Sequence, residues 1–228
     1  MPGVKHGKRW RKDAEKVPAQ PVTIEDAIKA VKGFAATKFD QTVELVCHLG
    51  IDPKQADQAL RGAISLPHGL GATKKVIAFC DGEDIVRAKA AGAIEAGADE
   101  LIKKVSGGWM DFDVAVATPA MMRSVSRLGR VLGPQGKMPS PKSGTVTDDI
   151  TTAVREYAAG KVEFRSDAGG NVAVPVGKVS FEETLLVENI NAFIAHLRRI
   201  KPSSAKGVYF EKVVLTATMT PSVPVDVK

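Results

Sequence analysis

The chain's 228 residues, 44% apolar and 25% charged, are enough to bury the core of one or two globular domains. Its net charge of +6 directs attention to polyanionic partners, nucleic acid before membrane, and no apolar run approaches the length of a membrane span. Cys47 and Cys80 are too few and too widely spaced for a disulfide framework or a zinc motif, and the four histidines lack ligand spacing. Each cysteine stands in an apolar stretch, as buried reduced thiols do. No apolar leader follows the first cations, so the sequence reads as a cytosolic protein that needs neither metal nor cofactor.

The chain opens with the tail "MPGVKHGKRWRKDAEKVPAQPV", basic and poorly periodic, with Trp10 its one aromatic. Thr23 and Asp26 have the spacing of a capping box, and Ile24, Ala27, Ile28, Val31, Phe34 and Ala35 repeat as one face of a helix. "TVELVCHL" then alternates. Val43, Leu45, Cys47 and Leu49 point one way and Thr42, Glu44 and His48 the other, as on a half-buried antiparallel strand.

The texture changes at residues 65–71. "KKVIAFC" is a short buried strand, and "EDIVRAKAAGAIEAGADEL" reads as an Ala-rich helix with Gly breaks. "FDVAVAT" is a second buried strand, "PAMMRSVSRLGRVLG" begins a helix with Pro119 in its first turn, and "TDDITTAVREYAAG" is a third helix. Strand and helix in alternation predict a parallel, Rossmann-like sheet. From Gly160 the antiparallel texture returns. "KVEFRSD" and "NVAVPVGKV" flank "AGG" as a hairpin would, and Ser180 and Glu183 have capping-box spacing for the helix "FEETLLVENINAFIAHLRRI". "KGVYFEKVVLTATM" predicts a last strand before a proline-rich end.

The fold class expected is therefore α/β in two domains. Residues 1–67 and 161–228 would form a discontinuous α+β two-layer domain, with an antiparallel sheet and helices. Residues 68–160 would form an inserted Rossmann-like parallel α/β domain, with Gly69, Gly71 and Gly160 at the hinge.

Catalytic chemistry finds little support. "LGRVLGPQGKMPSPKSGTV", residues 128–146, suggests a phosphate cradle, but a P-loop needs glycine where Val131 stands and a hydroxyl where Met138 stands. Pro134, Pro139 and Pro141 remove amides that a cradle would use. "GLGATK" has two glycines of a dinucleotide fingerprint and Lys74 in place of the third. Asp81, at the end of a parallel strand, suits a turn or helix cap better than a catalytic acid; an enzyme acting on a phosphorylated substrate is the remaining alternative of that class. The basic clusters carry more weight. Residues 1–22 hold six Lys/Arg against two acids, residues 121–146 five against none, and residues 195–228 six against two. With aromatics at 5% there is no stacking platform for single strands, which leaves phosphates, 2′-hydroxyls and the shape of folded RNA.

Six segments then occur in order: "KFDQTVEL", "GIDPKQADQALRGAISLPHGLG", "GRVLGPQGKMPSPKSGTVT", "GKVEFRSDAGGN", "PVGKVSFEETLLVENI" and "TATM". Over nearly its whole length the chain resembles the family of the first protein of the large ribosomal subunit, ribosomal protein L-one of the bacterial type. The resemblance implies a non-enzymatic RNA-binding protein on the mobile stalk of 23S rRNA, beside the exit-site tRNA. It also implies repression of translation from the protein's own operon mRNA. By the same resemblance, the RNA-binding residues are Lys38, Phe39, Thr42, Thr218 and Met219, with Arg165 on the hairpin as a further phosphate contact. Additional contacts would come from Lys212, Thr220, Arg130, Lys137 and Lys142. Three positions depart from the family pattern: Thr220 replaces a glycine, Ala173 a histidine and Lys212 a serine. A ribosome-assembly or RNA-chaperone paralogue is the alternative within RNA binding.

Overall fold

The computed structural model describes residues 6–55, 57–71 and 73–227. The chain divides into two compact units. One comprises Met1–Leu60, Leu66–Gly71 and Phe164–Lys228, and the other Arg61–Ser65 and Ala72–Glu163.

Within the basic tail a short helix forms, α1 (Lys8–Ala14), which the sequence pattern does not announce. Its Asp13 is buried, and Oδ1 accepts a hydrogen bond from the Ala35 amide at 3.1 Å, pinning the tail beside the next helix. That helix, α2 (Ile24–Lys32), is capped as expected: the Thr23 hydroxyl accepts from the Asp26 amide and donates to its carboxylate. Ala27, Ile28 and Val31 are its buried face, and Phe34 is buried just beyond its end. β1 (Thr42–Leu49) buries Val43, Leu45, Cys47 and Leu49 in strict alternation.

β2 (Arg61–Ile64) comes next, a short strand absent from the sequence expectation. β3 (Val76–Phe79) is buried along its whole length. Between Glu83 and Leu101, where one interrupted helix is expected, three elements stand: α3 (Glu83–Ala90), β4 (Glu95–Gly97) and the start of α4 (Asp99–Ser106). Three residues of strand are too few to show periodicity, and the segment's alanines favour helix unless a sheet edge recruits them. β5 (Val114–Ala117) follows. The helix expected from Pro119 is broken into α5 (Met122–Val125), a 3₁₀ turn (Ser126–Leu128) and α6 (Gly129–Leu132), and Pro119 lies in the turn before it. α7 (Ile150–Ala158) is capped by Asp149, whose carboxylate accepts from the Thr152 amide.

β3 pairs in parallel with both β4 and β5, in the order β4-β3-β5. Ile77 and Phe79 project into one core with Leu101 and Val105 of α4 and Val125 of α5. Val76 and Ala78 project into the other with Ala88 of α3 and Val154 and Tyr157 of α7. Helices on both faces are why these strands read as continuous apolar runs.

β6 (Val162–Arg165) pairs with β2, while β7 (Asn171–Lys178) pairs with β1. The expected hairpin therefore reduces to its tip, a single Ser166–Val172 bridge around a turn closed by Asp167. Asp167 accepts from the amides of Gly169 and Asn171 at 2.8 Å each. Gly170 takes φ +78° there, and a Cβ would sit 3.0 Å from the Leu49 carbonyl oxygen. α8 (Glu183–Arg199) begins without the expected capping box: Glu182 is its N-cap and makes no side-chain bond. The Ser180 hydroxyl is committed elsewhere, donating to the Asp40 carboxylate at 2.7 Å. β8 (Phe210–Ala217) and β9 (Val223–Val225) complete an antiparallel sheet in the order β7-β1-β8-β9. Pro224 is tolerated inside β9 because that strand is the sheet's edge. The buried faces of α2 and α8 cover one side of this sheet.

Candidate nucleic-acid interface

β1 and β8 run side by side, antiparallel, and one end of their ladder lies at Thr42 and Thr218. The Thr218 amide donates to the Thr42 carbonyl at 3.0 Å, and the Thr42 amide donates to the Thr218 hydroxyl at 3.2 Å. The side chain of Thr218 thus stands in for a ladder carbonyl and locks its own position. Gln41, nearly buried, donates to the Thr218 carbonyl at 2.7 Å, and Lys178 from the end of β7 donates to the Thr42 hydroxyl at 2.8 Å. Accepting from Lys178 leaves the Thr42 O–H free to donate outward.

This rigid junction carries two exposed apolar side chains. Phe39 is 49% exposed and Met219 66% exposed, and Lys38 beside Phe39 is exposed as well. Among the described residues Met219 is the one non-glycine residue with positive φ, at 65°. Its carbonyl accepts a hydrogen bond from Arg9 of α1 at 3.0 Å. A methionine held in the left-handed region and turned to solvent is strain of the kind that collects at binding sites. Lys38, Phe39, Thr42, Thr218 and Met219, far apart in sequence, therefore share one end of one sheet. Arg9 joins them without having been singled out; its only signal was membership of the basic tail.

The remaining candidates lie elsewhere. Lys212 pairs with His48, six residues along β8 from Thr218 and therefore about 20 Å away, beside Glu211. It adds nothing to the Thr218 end. Arg165 is exposed at the end of β6, next to the Ser166–Val172 bridge, again toward the His48 end of the sheet. Thr220 does not present its hydroxyl to a ligand: the group accepts from the Ala217 amide at 3.0 Å and donates into the turn toward the Ala217 carbonyl, 2.9 Å away. The positive φ that a glycine would serve falls at Met219, one residue earlier. Ala173 is exposed opposite Val46, midway along the edge strand β7.

In the second unit the loop after α6 is a closed structure. The Lys137 ammonium donates to the carbonyls of Met110 and Phe112, at 3.2 and 2.5 Å, and lies over the Phe112 ring, so it is spent on the fold and unavailable to phosphate. Ser143 and Thr145 are buried and bonded to each other, and Tyr157 donates to the Ser143 carbonyl at 2.6 Å. Arg130 and Lys142 remain exposed. Among the described residues no cluster of metal ligands occurs and no helix is long and apolar enough to cross a membrane. Both cysteines are free and buried, and burial pushes their thiols up, Cys47 to about 12 and Cys80 to about 11, so neither is a nucleophile at neutral pH.

Residues 31–221 match the model of the ribosomal protein L1p/L10e family. The chain belongs to that family. The large ribosomal subunit protein uL1 of Bifidobacterium longum (strain DJO10A) is 50% identical over 224 residues, 98% of this chain and 97% of its own length. The protein of the same name from Beutenbergia cavernae is 50% identical over 220 residues, 96% of this chain and 92% of its own. That of Nitratidesulfovibrio vulgaris (strain DP4) is 49% identical over 223 residues, 97% and 95% of the two chains. L1p/L10e is a family of ribosomal proteins, not of enzymes, which removes the catalytic alternative at Asp81. Asp81 lies exposed in the bend between β3 and α3, as a turn residue would.

Proposed function

We propose that this protein is an RNA-binding component of the large ribosomal subunit that holds the mobile stalk of 23S rRNA through the Thr42–Thr218 junction. The observation that carries this reading is the junction itself: two strand ends locked by Thr218, Gln41 and Lys178, presenting Phe39 and Met219 to solvent. A pre-ordered surface with apolar side chains, an outward hydroxyl and flanking cations suits sugar edges, 2′-hydroxyls and phosphates of a folded RNA. On this reading the two compact units are two domains, the discontinuous one binding rRNA and the inserted one carried on it. Release of the exit-site tRNA, repression of the protein's own operon mRNA and residence on cytoplasmic ribosomes extend the same reading, since a messenger that folds like the stalk would occupy the same surface. The test is affinity for a stalk-derived RNA hairpin against an unrelated duplex at about 150 mM salt, near physiological ionic strength. The hairpin should bind far more tightly, and Thr218→Val should remove most of that preference. Equal affinity for the two RNAs would overturn the proposal.

A further inference from the structure

The second unit carries a cationic face that the junction does not use. Across α5, the 3₁₀ turn and α6, Met121, Val125, Leu128 and Leu132 recur at steps of four, three and four residues, and all are buried. Arg123, Arg127 and Arg130 recur at steps of four and three, two residues out of phase, and all are exposed. A two-residue offset places them on the side opposite the core. Neighbouring Cβ atoms at such steps are about 5–6 Å apart, so the three guanidinium groups form one short row.

Solvated arginines on a helix are often balanced by acids, and several cations elsewhere in this unit are. Arg87 bridges Glu83 at 3.0 Å and Asp84 at 3.5 Å, Lys161 bridges Glu156 at 2.6 Å, and Lys75 bridges Asp111 at 2.5 Å. The three guanidinium groups have no ion-pair or hydrogen-bond partner among the described residues, the one side-chain bond at Arg123 being to its backbone carbonyl. No acidic residue occurs between Val114 and Thr147. Three uncompensated guanidinium groups in a row, with no large exposed aromatic or apolar side chain in the same segment, match a run of phosphates and nothing that requires base reading.

We infer that the face formed by Arg123, Arg127 and Arg130 is a second RNA-backbone site, sequence-independent and separate from the Thr42–Thr218 junction. It builds on the RNA-binding reading, adding a contact of a different kind on the other compact unit. Binding to an RNA duplex of unrelated sequence should run mainly through this face, and binding to the stalk hairpin mainly through the junction.

The test uses the full-length chain, with the R123Q/R127Q/R130Q variant, which keeps long helix-compatible side chains at exposed positions. Anisotropy titrations with an unrelated RNA duplex over a salt series give affinity and slope. The variant should bind at least tenfold more weakly at low salt, and its log–log slope should be shallower by about 2 or more, since each phosphate contact contributes roughly 0.9 on a B-form duplex. Its thermal midpoint should match the parent's. R87Q, which removes an arginine already paired with Glu83, should leave the slope unchanged. A parental slope in the triple variant, or an equal loss in R87Q, would overturn the inference. Thr218→Val separates it from the junction: it should weaken the hairpin and spare the duplex, so either site can fail alone.

Discussion

At Met219 and Thr220 stability and binding pull apart. Met219 occupies the left-handed region, which costs an L-residue with a Cβ about 1–2 kcal/mol, and its side chain is mostly in solvent. Met219→Gly should therefore raise the stability of the free protein by about 1 kcal/mol in urea melts. If the proposed interface holds, the same change should weaken stalk-RNA binding several-fold, because the side chain is then missing from it. A variant that is less stable and binds as before would mean that Met219 packs for the fold alone. Thr220 has the opposite balance. Its hydroxyl is the partner of the Ala217 amide, a nearly buried donor at the end of β8. Thr220→Ala orphans that donor and should cost about 0.5–1.5 kcal/mol, while Thr220→Ser should recover most of the loss. Equal melting points for Ala, Ser and the parent would show that water replaces the hydroxyl without cost.

Among the elements, the two expected capping boxes give a paired prediction. Thr23 caps α2, so Thr23→Ala should destabilise the protein by about 1 kcal/mol. Ser180 does not cap α8; it ties Asp40, beside Phe39, to the start of that segment. Ser180→Ala should therefore leave amide exchange in the first turn of α8 unchanged and accelerate it around residues 39–41. Faster exchange across that first turn instead would restore the capping role. Within α8, His196 lies against the Phe164 ring and accepts from Arg199, and burial together with the Arg199 charge holds its imidazole below the usual range. The folded state favours neutral His196, so its stabilisation is complete above the unfolded value of about 6.5 and is lost as pH falls through the lower folded one. The parent's melting temperature should drop more than that of His196→Gln between about pH 8 and pH 5. Sequence periodicity showed β1, β3, β5 and α7 because each is long enough, or buried enough, to repeat a pattern. β2, β4 and β9 have four, three and three residues, and their existence depends on partners distant in sequence. The candidate site was legible at Lys38, Phe39, Thr42, Thr218 and Met219 through motif likeness. Arg9 was not, because its placement depends on the buried Asp13 docking a tail whose own residues show no period.

For the whole molecule, the chain passes between the units at places that permit shortening. Leu60 and Ser166 bond each other in both directions, at 3.1 and 2.8 Å, so the two halves of the discontinuous unit are tied where the insert leaves and returns. Asn189 of α8, wholly buried, accepts from the His68 amide and donates to the Gly69 and Val176 carbonyls, which pins residues 66–71 to that unit. Cutting before residue 66 would strand part of this clamp, whereas Lys74 donates to the Lys161 carbonyl at 3.0 Å, so the chain at 73 and at 161 lies within a side chain's reach. Residues 1–73 joined by a few glycines to 161–228 should therefore fold, since so short a closure costs little chain entropy. The shortened chain retains Arg9, Phe39, Thr42, Thr218 and Met219 and lacks Arg123, Arg127 and Arg130. It should bind the stalk hairpin with most of the full-length affinity at about 150 mM salt, and it should lose the full-length protein's affinity for an unrelated duplex at low salt, with a correspondingly shallower slope. Circular dichroism establishes folding first. A folded shortened chain that keeps its duplex affinity would place the sequence-independent contact in the discontinuous unit; one that loses the hairpin would move the specific contact into the insert, and the Thr42–Thr218 junction would then be only the joint of two strands.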